Sequence, residues 1–516
     1  MGLPHGQVLQ RSRPRFFLWP NGKRSGKLDL SSWVASFEFS KTLQNPVGTW
    51  SVTLLPFRGS QGPVGIHHPT DLEALARPNA VVSLGFDVGG GICLGLVDAP
   101  GRKRHLGGAN ASRTFTLSGS DMGKVLVSDS IIHASLDKEA ADSYGKKIEA
   151  VTSTENALLD ALTVTGPENA HAGAKTFEGA QIHELVGWVL DAWTTFRIPL
   201  LAAMGGSGRA GDFMVPDVTP WNPGQYLYTD APKSYNGDIY GFIRSLVDED
   251  FFEVIVDSLF PTYPVAAVDA MIPEVRLTVR PKPFDSRMFD DHQIFRPVNT
   301  RPDLTWESMA NRVDGDPYHQ IEQYEILDED LGTSDADVFS YYEVTSDSDL
   351  MGNADRQAAG LFYPLVDLSV LKRAGLRAFR GRLSLVDPDI LGKQEDALPS
   401  GVLPSDIKEF RNRLFNWYRL AEWFEAGSIT VAGRDRFRVG DKVYLPWHRP
   451  FRAVPGTPSG CYFYITGTTH RWSVGQPYTT TLRLSRGHSK TVVDAAKAEI
   501  AREAVEFGVP GMLADR

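Results

Sequence analysis

Carboxylates, histidines and a glycine-rich loop are the residues here whose type and spacing could do chemistry. Asp248, Glu249 and Asp250, with Glu253 and Asp257 close behind, could hold a metal or share acid–base work, and DEDLGTSDAD at 328–337 offers a second acidic set. A calcium loop needs Gly at its sixth position and a bidentate Glu at its twelfth, and neither stretch keeps that order. The first therefore reads as a polar turn between a helix and a strand, the second as a solvated or interface turn. GSGRAG at 206–211 matches G-x-G-x-x-G letter for letter. Dinucleotide binding also requires a helix opening at the last Gly, so that its amides meet the pyrophosphate. The following DFMVPDVTPWNP cannot be that helix, and a mobile loop is expected instead. His67 and His68 sit in a GIHHPTD loop, and no HExxH, G-x-S-x-G or CxxC occurs anywhere. No catalytic, cofactor-binding or metal-ligating residue is expected. The enzymatic alternative is a glycan hydrolase using a carboxylate pair from 248–257 or 328–337.

HRWSVGQPYTTTLRLSRG at 470–487 poses a different question, since His470, Arg471 and three consecutive threonines read as two strands around a turn. Leu482 and Leu484 alternate with Thr481, Arg483 and Ser485, as on a strand with one buried face. His470 has no second histidine at ligand spacing and reads as part of a barrel edge near a strand end.

The elements around these residues are mostly strands. SSWVASFEFSKTL alternates at Trp33, Ala35, Phe37 and Phe39, then Asn45-Pro46 and Gly48 suggest a turn before TWSVTLLP. NAVVSLGFDVGGGICLGLVDAP and RTFTLSGSDM follow as further strands, with the basic RKRH at 102–105 expected in a solvated loop. Helical spacing appears at 138–162, 177–193 and 238–247, and most strongly at 405–426. That last helix is expected to start at Ser405 and to stop at Gly427. FFEVIVDSL, PEVRLTVRPKPF, SITVAGRDRFRVGDKVYLPW and GCYFYITGTTHRWS read as strands, 285–345 as an acidic, loop-rich stretch, and about 490–505 as a closing helix.

A repeat orders these strands. Residues 81–121 run VVSL, a Gly-rich turn, GICLGLVDAP, a loop, RTFTLSGSD; residues 443–487 run VYLP, a Pro/Gly loop, GCYFYITGTTH, a loop, YTTTLRLSRG. Cys93 and Cys461 open the corresponding strands. The spacing predicts a duplicated barrel.

The bulk composition limits what the chain can be. Its 516 residues suffice for about three or four domains. A net charge of −10 disfavours phosphate-driven nucleic-acid binding. The N-terminal residues lack the apolar core of a signal peptide, and no stretch reaches the roughly 20 apolar residues of a membrane span. The two cysteines fit neither a Cys-rich metal site nor a disulfide framework and suggest folding in a reducing cytosol.

With that layout in place, the chain resembles the baseplate hub proteins of contractile-tailed phages and related injection machines. FEFSKTLQNPVGTWSVTL is similar to the family's opening hairpin, and PEVRLTVRPKPFD (273–285) to its strand ending in Arg-Pro-x-Pro-Phe. SITVAGRDRFRVGDKVYL (428–445) resembles the entry to its last barrel, and YITGTTHRWSVGQPYTTTLRLSRG its closing strand pair. The chain departs from the pattern at 135–235 and 285–400. The resemblance implies an α+β, β-rich fold: two similar antiparallel β-barrel tube domains with two flanking helical or mixed domains. The first tube domain would span 30–125, with a helical or mixed domain at 126–237. The second would be split into 238–345 and 427–490 around a mixed domain at 346–426, with a helix or tail at 491–516. It further implies a non-enzymatic homotrimer whose six barrels form a pseudo-sixfold ring between the tail tube protein and a central spike protein. Tape measure and baseplate wedge proteins would be its other partners, in a virion tail assembled in the host cytoplasm. DNA would pass through the lumen without specific binding, which suits an acidic chain. Neutralising lumen-facing acids should then slow genome release. A receptor-binding tail protein is the remaining alternative.

Overall fold

The computed structural model describes mainly residues 13–20, 27–55, 74–86, 91–105, 112–135, 214–218, 234–247, 252–259, 274–281, 319–346, 365–386, 414–434, 437–451 and 459–489. His67, His68, the GSGRAG loop and the helix expected at 138–162 lie outside the described residues.

The chain opens with β1 (Pro14–Trp19), β2 (Leu28–Asp29), β3 (Val34–Thr42), β4 (Asn45–Leu54), β5 (Val81–Phe86), β6 (Gly91–His105) and β7 (Ser112–Asp121). Helix α1 (Gly123–Ser128) leads to β8 (Ser130–Ser135), followed by β9 (Met214–Val218), β10 (Tyr228–Thr229) and β11 (Ser234–Asp238). Helix α2 (Ile239–Leu246) starts where Asp238 accepts a hydrogen bond from Gly241 N, and then come β12 (Phe252–Leu259) and β13 (Glu274–Pro281). Next are β14 (His319–Gln320), β15 (Ile326–Thr333), β16 (Tyr341–Ser346), β17 (Leu365–Val366), helix α3 (Leu368–Ala374), β18 (Ala378–Leu383) and β19 (Leu385–Val386). β20 (Glu425–Ala432), β21 (Lys442–Leu445), β22 (Cys461–Ser473) and β23 (Thr479–His488) complete the strands.

One 13-stranded sheet gathers strands from both ends of the chain in the order β15-β20-β23-β22-β3-β4-β7-β6-β5-β1-β2, with β21 on β22 and β14 on β21. It holds two antiparallel runs of the same design, β5-β6-β7-β4-β3 and β21-β22-β23-β20-β15. Leu84 stands opposite Cys93 in the first run, and Leu445 opposite Cys461 in the second. The ladder shifts register after Val97 in β6 and after Ile465 in β22, at the same offset from the two cysteines. The internal repeat expected from sequence is thus present as a repeat of strand order.

Each run has its own core. Phe37, Phe39, Trp50, Val52, Leu84, Cys93 and Leu117 belong to the first, and Ile429, Val443, Cys461, Phe463, Ile465, Leu482 and Leu484 to the second. Alternation puts these side chains on one face of each strand, and burying an aromatic or leucine is worth about 1.5–3 kcal/mol. Leu482 and Leu484 point inward as expected, while Thr481 and Ser485 are half-buried and Arg483 is exposed. In the first run Trp50 leans over Gly119, where an added Cβ would meet Leu96 O and the indole. Gly119→Ala should therefore destabilise by about 2–3 kcal/mol in urea unfolding; an unchanged midpoint would show that both the indole and the β6 backbone at Leu96 can shift.

Several local expectations are corrected. The tight turn in the first hairpin falls at 43–44, and Asn45-Pro46-Val47-Gly48 already belongs to β4. The helix expected to run to Gly427 ends sooner, because Glu425 begins β20 and pairs with Gly487. Gly427 is a strand residue with φ of +151°, and a Cβ there would strike Asp330 O. Residues 319–346, expected as loop, contain β14, β15 and β16. RKRH lies at the end of β6, paired with β7. The large sheet also takes in β1, which precedes the expected start of the first tube domain.

Candidate functional site

The described residue pattern most suggestive of function is the seam where the two runs meet. β22 and β3 pair antiparallel from Gly467 opposite Thr42 to Ser473 opposite Ser36. Leu43 N and Val474 N extend the ladder to Thr466 O and Ala35 O, each at 2.8 Å. Arg471 and Glu38 face each other across the seam as an exposed ion pair at 3.1 Å, and Ser40 Oγ lies 3.0 Å from Thr469 Oγ1. On the buried side Phe37 stacks on Trp472 at 6.2 Å, and Tyr478 packs against Phe86 at 4.3 Å.

His470 lies near the end of β22, as expected, but it is fully buried and paired on both sides, opposite Phe39 of β3 and Thr480 of β23, rather than on an edge. Its ring stacks between Phe39 and Tyr478, and its Nδ1 lies 2.7 Å from the Tyr478 hydroxyl and 3.2 Å from Thr480 Oγ1. No partner for Nε2 exists among the described residues. Burial, with the Arg438 cation nearby, holds the imidazole down at about 3, so it is neutral at neutral pH and serves as packing.

A second sheet, β12-β13-β9, is anchored across this seam by three side chains. Lys41 on β3 lies on the same side as Phe37 and Phe39, where it pairs with the buried Asp121 and donates to Val256 O of β12. Tyr464 on β22 donates to Glu253 at 2.6 Å, and Arg438 pairs with Asp257 at 3.3 Å while reaching Gly91 O at 3.3 Å. Asp121 also receives Gly123 N at 2.9 Å; burial raises its carboxyl although Lys41 opposes the shift. Burial, then the nearby Asp121, keeps the Cys93 thiol protonated, and burial with Glu425 does the same for Cys461. Both cysteines are free.

The described residues of the acidic stretches go mainly to packing and to an edge, and Asp248 and Glu249 lie outside the described residues. Glu253 and Asp257 are held by Tyr464 and Arg438, and Asp250 lies in a turn. Asp328 and Asp330 are exposed on β15, whereas Glu329 meets His448 Nδ1 at 3.2 Å and the buried Glu425 meets its Nε2 at 2.5 Å. Among the described residues no group of three or more His, Cys, Asp or Glu could hold a metal, and no helix is long and apolar enough to cross a membrane. Lys41 could have been flagged from sequence, being a lysine at the apolar phase of F-E-F-S-K. Asp121, Glu253, Tyr464 and Arg438 carried no such signal, because their partners are remote in sequence.

The chain is similar to solved tail proteins. One is the tail protein from Neisseria meningitidis MC58, at 11% identity and TM-score 0.45 over 92% of this chain and 96% of that chain. Another is the 43 kDa tail protein of prophage MuSo2 from Shewanella oneidensis, at 9% identity and TM-score 0.43 over 92% and 98%. A third is prophage tail protein gp18 from Listeria monocytogenes EGD-e, at 10% identity and TM-score 0.38 over 95% and 98%. No protein-family model and no curated protein matches the sequence.

Proposed function

We propose that the chain is a structural hub of a phage-type tail, a homotrimer in which each copy contributes two similar barrel domains to a pseudo-sixfold ring. The observation that carries this reading is the repeat of strand order joined edge to edge at the β22–β3 seam. Two equivalent units in one chain are what a threefold assembly needs to meet a sixfold tube on one side and a threefold spike on the other. The motifs resembling hub proteins agree with it: FEFSKTLQNPVGTWSVTL forms the β3–β4 hairpin, and YITGTTHRWSVGQPYTTTLRLSRG forms most of β22, which makes the seam with β3, and of its neighbour β23. In this role the chain does no bond-making chemistry. Tail tube, spike, tape measure and wedge proteins are its partners, and DNA passes through an acidic ring in the virion tail.

Light scattering of the purified chain at micromolar concentration tests the reading. A species at three times 56.9 kDa is expected. A monomer at every concentration, alone and with its tube or spike partner, would overturn it.

A further inference from the structure

The edges that meet inside the chain have counterparts that no described strand covers. β22 uses Gly467–Ser473, the part beyond its register shift, to pair with β3. Through the repeat, the counterpart of that segment is residues 99–105 of β6, which also follow a register shift, and the counterpart of β3 is β15. Among the described residues, no strand pairs with 99–105 on the side away from β7, and none with β15 on the side away from β20.

The two open edges carry opposite charge. Between Ala99 and Ser120 the chain has Arg102, Lys103, Arg104 and Arg113 and no acid. Between Ile326 and Asp337 it has Asp328, Glu329, Asp330, Asp335 and Asp337 and no base. The register of the seam can be carried over. Val97 corresponds to Ile465 and Val52 to Ile429, and so Phe37 corresponds to Glu329. Trp472 opposite Phe37 then translates to Arg104 opposite Glu329. Arg471 opposite Glu38 translates to Lys103 opposite Asp330, and Ser473 opposite Ser36 to His105 opposite Asp328. The counterpart of the Lys103–Asp330 pair is therefore the Arg471–Glu38 ion pair of the seam.

The geometry points to a contact between copies of this chain in which residues 99–105 of β6 in one copy pair antiparallel with β15 of the next, repeating the β22–β3 seam. This rests on the ring reading above and gives it an interface. An open strand edge is a row of unused donors and acceptors, and adding a strand satisfies them over seven residues, about 23 Å. Pro100 supplies no N–H, so the ladder gives up one donor there. The contact joins different surfaces of the two copies, as ring closure requires. A nucleic-acid partner fits less well, because four cations on a chain of net charge −10 release few counterions.

Lys103→Glu and Asp330→Lys should each raise the dissociation constant of the assembly about tenfold per contact, and the double variant should return it close to wild type. Lys103→Cys combined with Asp330→Cys, treated with a short bis-maleimide, should give covalent species up to three chains, while either cysteine alone gives none. The buried Cys93 and Cys461 stay out of that reaction. A three-chain assembly that neither crosslinks nor responds to the charge reversals overturns the strand pairing and leaves the trimer standing. A monomer under all conditions overturns both. Loss of binding to duplex DNA in Lys103→Glu, with the assembly mass unchanged, would assign the basic edge to nucleic acid and overturn the pairing as well.

Discussion

Lys41→Met should lower the unfolding free energy by about 3–5 kcal/mol, among the largest single-residue effects in the molecule. Lys41 is buried, and its ammonium serves two partners at once, the Asp121 carboxylate and the Val256 carbonyl of β12. Methionine fills similar volume but leaves a carboxylate in the interior with no counter-charge and a strand carbonyl without its donor. Asp121 would then have to protonate or draw in water, and burial already pushes its carboxyl upward with Lys41 in place. Adding Asp121→Asn should recover a large part of the loss, since the amide oxygen can still accept from Gly123 N without a charge to bury. Urea unfolding of the wild type, Lys41→Met and the double variant measures this directly. Hydrogen exchange at 252–259 should quicken in the single variant, because β12 loses an anchor. A loss below about 1 kcal/mol would mean that the pair contributes little beyond the apolar volume of its stems.

The second large effect is a loss of stability in acid that traces to His470. Its folded-state value, about 3, lies below the ordinary imidazole value of 6.5. The unfolded chain therefore takes up the proton first, and stability that is complete above about pH 6.5 declines as pH falls toward the folded value. At pH 4.5, two units below the unfolded value, the loss comes to about 3 kcal/mol. The carboxylates of the chain also titrate in this range, so the informative quantity is the difference between the wild type and His470→Gln. Glutamine can still accept from Tyr478 but takes up no proton, and its stability should fall less steeply between pH 6.5 and 4.5. Parallel curves for the two proteins would show that His470 is not the titrating group. The site of the loss should be the seam, seen as faster exchange at 36–42 and 467–473.

Local pattern was enough to read much of the sheet. Alternation in SFEFS and TLRLS gives strands, with Phe37, Phe39, Leu482 and Leu484 on the buried face and Glu38, Ser40, Thr481, Arg483 and Ser485 on the other, although the polar Lys41 and Thr480 also fall on the buried face. The repeat between 81–121 and 443–487 was legible for the same reason, and Cys93 and Cys461 fall at matching positions in the two ladders. Where strong local signals competed with long-range pairing, pairing prevailed. Gly427 looked like a helix stop, yet the ladder formed by β15, β20 and β23 draws the chain into a strand from Glu425 onward. RKRH looked like a solvated loop because of its charge and the glycines after it, but β7 offers a partner for every residue of that segment.

What the sequence alone determined is the class of most elements in the large sheet and the buried face of the strands it marked, properties set by neighbours two to four residues away. It also determined that two stretches of the chain are built alike. Only the tertiary structure decided which edges meet: β22 on β3, residues more than 420 positions apart, with β12 fastened over the joint by Lys41, Tyr464 and Arg438. Any strand edge offers the same backbone donors and acceptors, so nothing in its local pattern names its partner. Partner choice comes from the shape of both cores and from a few buried polar contacts, and these exist only after the chain has closed on itself.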